Sequence, residues 1–129
     1  MHQNDLISVA TEARGRAYAK YSQFSVGAAL LTTDGRTFTG CNVENVSFGL
    51  TMCAERVAIG SAIAAGSRSF NMIAIVSDST QPVVPCGACR QVMAEFSPDL
   101  RIISATTDGV VTEFNLAVLL PSPHQGILG

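Results

Sequence analysis

The chain has 129 residues, 47% of them hydrophobic and only 14% charged, with eight Lys+Arg against ten Asp+Glu for a net charge of −2. Soluble domains carry roughly 25% charged residues and bury about two-thirds of their unfolded surface at this size, so the excess apolar surface needs cover. A net-acidic chain without a basic run excludes gripping a phosphate backbone, and its longest charge-free stretch, residues 114–129, is interrupted by Pro121 and Pro123 and is too short to span a membrane. Subunit association is the remaining outlet for the apolar excess.

Asn4 is placed to cap a first helix running to residue 20, with Leu6, Ile7, Ala10, Ala13 and Ala17 along one face. Residues 26–33 read as a strand, and Asp34-Gly35 predicts a hairpin into a second strand over 37–43. Thr51 is the expected N-cap of a helix reaching Ala65, with Gly66 at its C-terminal stop. The continuous apolar run within 71–77 predicts a central strand. Pro85, expected in a first turn, opens a third helix to Phe96. Strands follow at 101–105 and 110–114, joined by Asp108-Gly109, and a short helix over 115–120 stops at Pro121. Helices interleaved with strands predict one α/β domain over residues 1–129, a three-layer α-β-α sandwich around a five-stranded mixed sheet whose two hairpins make the outer pairs antiparallel.

Met1-His2-Gln3-Asn4-Asp5 has neither the basic nor the apolar part of a secretory leader, so a cytoplasmic location is expected. In a reducing compartment, four cysteines read better as metal ligands or catalytic groups than as disulfides. Cys53, Cys86 and Cys89 all fall at predicted helix starts, where the partial positive charge stabilises thiolates. Cys86-Gly-Ala-Cys89 has chelating spacing, and three protein ligands with one open position is the arrangement of catalytic zinc. Glu55 lies two residues after Cys53; the two converge only if the helix is just opening there, and a carboxylate so placed can move protons beside the metal. Arg56 and Arg90 are candidates to donate to the thiolates, Arg56 the better because i+3 spacing lets it reach Cys53. A closed structural site with Cys41 as fourth ligand is the rival, which would leave Glu55 without a role. In its strand Cys41 reads more simply as a small buried residue.

Together, Cys53-Ala-Glu55 and Pro85-Cys86-Gly-Ala-Cys89 match the zinc deaminase signature. With Tyr21-Ser22-Gln23-Phe24-Ser25-Val26-Gly27-Ala28-Ala29-Leu30 and Gly40-Cys41-Asn42-Val43-Glu44-Asn45, the chain resembles the cytidine deaminases of the small, three-cysteine, homotetrameric class. The resemblance implies one zinc per subunit on Cys53, Cys86 and Cys89, proton transfer by Glu55, and deamination of cytidine and 2′-deoxycytidine in pyrimidine salvage. It also implies ribose contacts from Asn42 and Glu44, a pyrimidine contact from Phe24, and help from the Ala54 backbone in holding the base. A carboxylate at the sugar would repel a phosphate, which favours a free nucleoside.

The tail departs from the pattern. After Leu-Leu-Pro the family continues with two residues and a phenylalanine that stacks on the base in a neighbouring subunit's site; here Ser122-Pro123 leads to His124. His124 is expected to take that place, with a solvated tail histidine as the alternative. His2 is expected to lie at a disordered terminus. A deaminase of a related aminopyrimidine nucleoside, such as a blasticidin-type antibiotic, shares the zinc motifs, but Asn42, Glu44 and Phe24 argue against it.

Overall fold

The structure, a computed structural model, describes residues 1–125. Its first helix, α1 (Gln3–Arg14), is followed by strands β1 (Val26–Thr32) and β2 (Thr37–Cys41), a single 3-10 turn at Phe48–Leu50, and helix α2 (Ala54–Ala64). Strand β3 (Phe70–Ser77), helix α3 (Gly87–Phe96), strands β4 (Arg101–Thr106) and β5 (Val111–Asn115) and helix α4 (Leu116–Leu119) complete the order. The sheet runs β2-β1-β3-β4-β5, parallel between β3 and β4 and antiparallel elsewhere. This is the expected mixed sheet, with both hairpins at its edges and the apolar 71–77 run in its centre.

Alternation along the strands sorts the core into two layers. Ala28, Leu30, Ile73, Ile75 and Ile102 face α2 and α3, meeting Ala54, Ala58, Ile59, Cys89 and Met93. Ala29, Leu31, Met72, Ala74, Val76 and Ile103 face α1, where Leu6 and Ala10 are fully buried. Two helix–sheet contacts are closer than any side chain allows. A Cβ on Gly27 would lie 2.0 Å from the Ala10 carbonyl oxygen, and one on Gly40 would lie 2.2 Å from that of Ala54. Glycine at position 40 therefore lets the first turn of α2 rest directly on β2.

Three predicted helix ends move by two residues or more, one to a local capping box and two to pairings with the chain beyond β2. Helix α1 is capped by His2, not Asn4: the His2 imidazole Nδ1 accepts from the Asn4 N–H at 3.1 Å, and Asp5 accepts from the His2 N–H at 3.1 Å. His2 is thus an ordered cap. Helix α1 stops at Arg14 rather than residue 20, because Tyr18 pairs with the continuation of β2, donating to the Asn42 carbonyl and accepting from the Glu44 N–H, each at 2.9 Å. Helix α2 starts after Cys53 rather than Thr51, because Met52 exchanges two 2.9 Å backbone bonds with Val43 and is held extended. Pro85 likewise precedes the cap of α3 instead of sitting in its first turn.

Candidate active site

Cys53 is the N-cap residue of α2 and Cys86 that of α3. Both have extended backbones and neither side chain is spent on a capping hydrogen bond, so the sulfurs sit at two positive helix ends, free for another partner. Cys89 occupies the third position of α3, where an N-cap side chain and the third residue ordinarily meet. The three sulfurs lie within 4.8 Å of one another and form the only three-membered group of metal-binding side chains of this kind among the described residues. Thiolates at about 2.3 Å from a tetrahedral zinc are about 3.8 Å apart, so the spread fits the ion. Cys41 stands outside the group; it is half-buried rather than buried, and its thiol donates to the Arg16 carbonyl at 3.5 Å.

The electrostatics prepare a first thiolate. Cys53 is brought down to about 5, first by the hydrogen bond from Cys89 and then by the Arg56 guanidinium, against a burial cost. Cys89 is pushed up as the donor of that same bond and by burial. Arg56 Nη2 donates to Cys53 Sγ and to the Thr51 carbonyl, both at 3.5 Å. Arg90 turns elsewhere, its Nε donating at 2.8 Å to the Pro85 carbonyl just before Cys86. Of the two arginines, the one at i+3 reaches a sulfur.

Glu55 follows one residue into α2, and only 6% of it is exposed. Because Cys53 is extended, the opposed directions that a regular helix imposes on i and i+2 do not apply. Burial drives the Glu55 carboxyl above its ordinary range, and the charge of Cys53 adds to the effect. A carboxyl so raised keeps its proton to higher pH than an ordinary glutamate, which suits a proton carrier.

A cleft of about 270 Å³ joins these groups to Phe24, Asn42, Glu44 and Ala54. Asn42 and Glu44 lie just past β2, where the paired segments around Tyr18 and Met52 flank them. Both side chains hold the loop that carries Phe24. Asn42 Oδ1 accepts from the Val26 N–H at 2.9 Å and Nδ2 donates to the Phe24 carbonyl at 2.8 Å. Glu44 Oε1 accepts from the N–H groups of Tyr21 and Ser22 at 2.9 and 3.0 Å, while Oε2 accepts from the Ser22 hydroxyl. These bonds, the Ser22 hydroxyl first, keep the half-buried Glu44 carboxyl below its ordinary range. Ser22, Val26, Thr51, Met52, Val83 and Cys86 complete the lining. Of these, sequence reasoning assigned a chemical role only to Cys86. Ser22 stood inside a quoted motif with nothing to set it apart, since a lone serine carries no signal until its partner is known.

His124 is exposed at the end of the described chain. Next to it, the Pro123 carbonyl accepts from Gln91 Nε2 at 2.8 Å, which ties the tail to α3. Within this chain His124 is not among the residues that line the cleft.

Residues 1–105 match the family described as the cytidine and deoxycytidylate deaminase zinc-binding region. The chain belongs to that family. Among related proteins, the cytidine deaminase of Halalkalibacterium halodurans is 48% identical over 122 residues, covering 94% of this chain and 92% of the relative. The crystal structure of cytidine deaminase from Burkholderia pseudomallei superposes with a TM-score of 0.91 at 51% identity, covering 94% of this chain and 98% of that one. The structure of cytidine deaminase from Mycobacterium tuberculosis follows at 0.81 and 41%, covering 94% and 95%. In this zinc-dependent deaminase family, the three-cysteine cluster is a site that can hold the metal. Among the described residues, no helix is long and apolar enough to cross a membrane.

Proposed function

We propose that the chain, as one domain over residues 1–129, converts cytidine and 2′-deoxycytidine with water to the corresponding uridine product and ammonia, serving pyrimidine salvage in the cytoplasm. The observation that carries this reading is the buried Glu55 beside three converging thiols in a cleft that also presents Phe24, Asn42 and Glu44. One zinc ion per subunit, held by Cys53, Cys86 and Cys89, supplies a Lewis acid that makes water nucleophilic near neutral pH. Glu55 takes the proton released as water adds to C4 of the pyrimidine and passes it to N3; it then takes the proton of the new C4 hydroxyl and delivers it to the departing amine, so that the C4–N bond breaks to give ammonia and the C4 carbonyl. Arg56 draws charge from Cys53 through its hydrogen bond, which offsets part of the negative charge of three thiolates.

Phe24 forms the wall against the pyrimidine and the Ala54 backbone helps hold the base. Asn42 and Glu44 hold the sugar, and the Glu44 carboxylate repels a nucleotide's phosphate. Association into a homotetramer fits the exposed apolar residues beside the cleft: Val46 is 82% exposed, Phe48 88% and Leu50 67%. In such an assembly, His124, held out on the tail beside Pro123, stacks on the base in a neighbour's site.

The deciding experiment follows the cytidine absorbance band on incubation with purified protein. Loss of the band, blocked by chelator and restored by zinc, is expected. A protein that binds zinc yet leaves cytidine intact would overturn the reading in favour of a zinc-stabilised binding module. Faster turnover of a blasticidin-type nucleoside than of cytidine would reassign the substrate.

A further inference from the structure

Glu44 and Asn42 spend most of their hydrogen-bonding capacity inside the protein. A carboxylate offers about four acceptor positions. On Glu44, Oε1 is filled by two backbone N–H groups, and Oε2 takes the Ser22 hydroxyl. Asn42 uses its carbonyl oxygen on Val26 and one amide N–H on Phe24. What remains for a ligand is one acceptor position on Oε2 of Glu44, and one N–H and the second lone pair of Oδ1 on Asn42. Ser22 sits at the junction, since its oxygen also accepts from the Phe24 N–H at 3.0 Å. The loop between these anchors is tightly constrained: Gln23 is the one described non-glycine residue with a left-handed backbone, at φ 61°.

We propose that Ser22 is a positioning residue for sugar recognition. Its hydroxyl fixes which lone pair of Glu44 faces the cleft, and its contact with Phe24 ties that carboxylate to the aromatic wall. The donor on Asn42 and the acceptor on Glu44 together suit a single sugar hydroxyl, which donates to Oε2 and accepts from Nδ2. Ser22 lines the cleft, but its hydroxyl is already engaged with Glu44 and Phe24, so it acts on binding through Glu44. The inference rests on the nucleoside reading above.

The test compares wild type with Ser22→Ala on cytidine and on 2′,3′-dideoxycytidine, which lacks both ring hydroxyls, with zinc content and melting temperature recorded. A hydrogen bond to a charged group is worth about tenfold or more in binding. Ser22→Ala is expected to raise KM for cytidine about tenfold while kcat stays within about twofold. On the dideoxy substrate the two proteins should agree within about twofold in kcat/KM. The near-isosteric pair Ser22→Thr and Ser22→Val separates hydroxyl from volume: Thr keeps most of the affinity and Val matches Ala. This pair decides the question if Ser22→Ala fails to fold. An equal loss on both substrates, no loss on cytidine, or Thr as poor as Val would overturn the role of Ser22. A zinc-loaded wild type inert towards cytidine would defeat the functional reading along with it.

Discussion

Glu55 and Glu44 line one cleft and are treated by the fold in opposite ways. Glu55 is sunk at the start of α2 and burial raises it, whereas Glu44 is only half-buried and three hydrogen bonds from Tyr21 and Ser22 lower it. Two identical side chains thereby acquire opposite tendencies, one holding its proton more firmly and the other its charge. The difference comes from what surrounds each one. Helix α2 rests on β2 and leaves Glu55 almost wholly buried, while the loop beyond α1 turns its backbone N–H groups toward Glu44.

The contrast can be broken from either side. The largest effect is expected from Cys89→Ala, which removes the buried ligand and should abolish zinc retention and turnover together, read by metal analysis and the absorbance assay. Glu55→Gln should keep zinc but lower kcat by at least about a thousandfold, within the range general acid–base catalysis provides. With zinc removed, the same variant should melt higher than wild type at neutral pH. Because the folded-state value of Glu55 lies above its ordinary 4.5, ionising it costs stability at every pH above that, and the amide removes the cost.

Glu44→Gln should act on the other arm of the comparison, raising KM for cytidine about tenfold with a smaller change in kcat. Its stability should move oppositely to that of Glu55→Gln. The folded-state value of Glu44 lies below 4.5, so its hydrogen bonds contribute fully above that pH and are lost as pH falls beneath it. The variant should therefore melt lower than wild type at pH 7, with the gap closing in acid; a constant gap would remove ionisation from the account. The smallest effect on chemistry belongs to Gly40→Ala. Its methyl group would press on the Ala54 carbonyl oxygen from 2.2 Å, costing about 1–3 kcal/mol of stability, read by denaturant titration, and shifting the α2 turn that carries Glu55.

Much of this was legible before any coordinates. The 71–77 run is apolar on both faces, so it had to be central, and the Asp-Gly turns had to close hairpins because they favour the required backbone. Cys86 and Cys89 announced themselves because their spacing matches the first turn of a helix. The misplaced boundaries share one cause. Asn4, Thr51 and the 15–20 segment have sound local credentials, and each yields to a bond with a distant or unexpected partner: the His2–Asp5 capping box, the Met52 pairing with Val43, and the Tyr18 pairing with β2.

By itself the sequence determined the chemistry available: three thiols, a carboxylate beside one of them, and an Asn and a Glu two residues apart after a strand. Residue type sets what a group can donate, accept or coordinate, and spacing sets what shares a helix turn. Only the tertiary structure decided that Cys53 stands outside α2 while Glu55 stands inside it, and that Ser22 answers Glu44 across 22 residues of chain. Protonation states and hydrogen-bond partners depend on burial and on non-local neighbours, which no local pattern encodes.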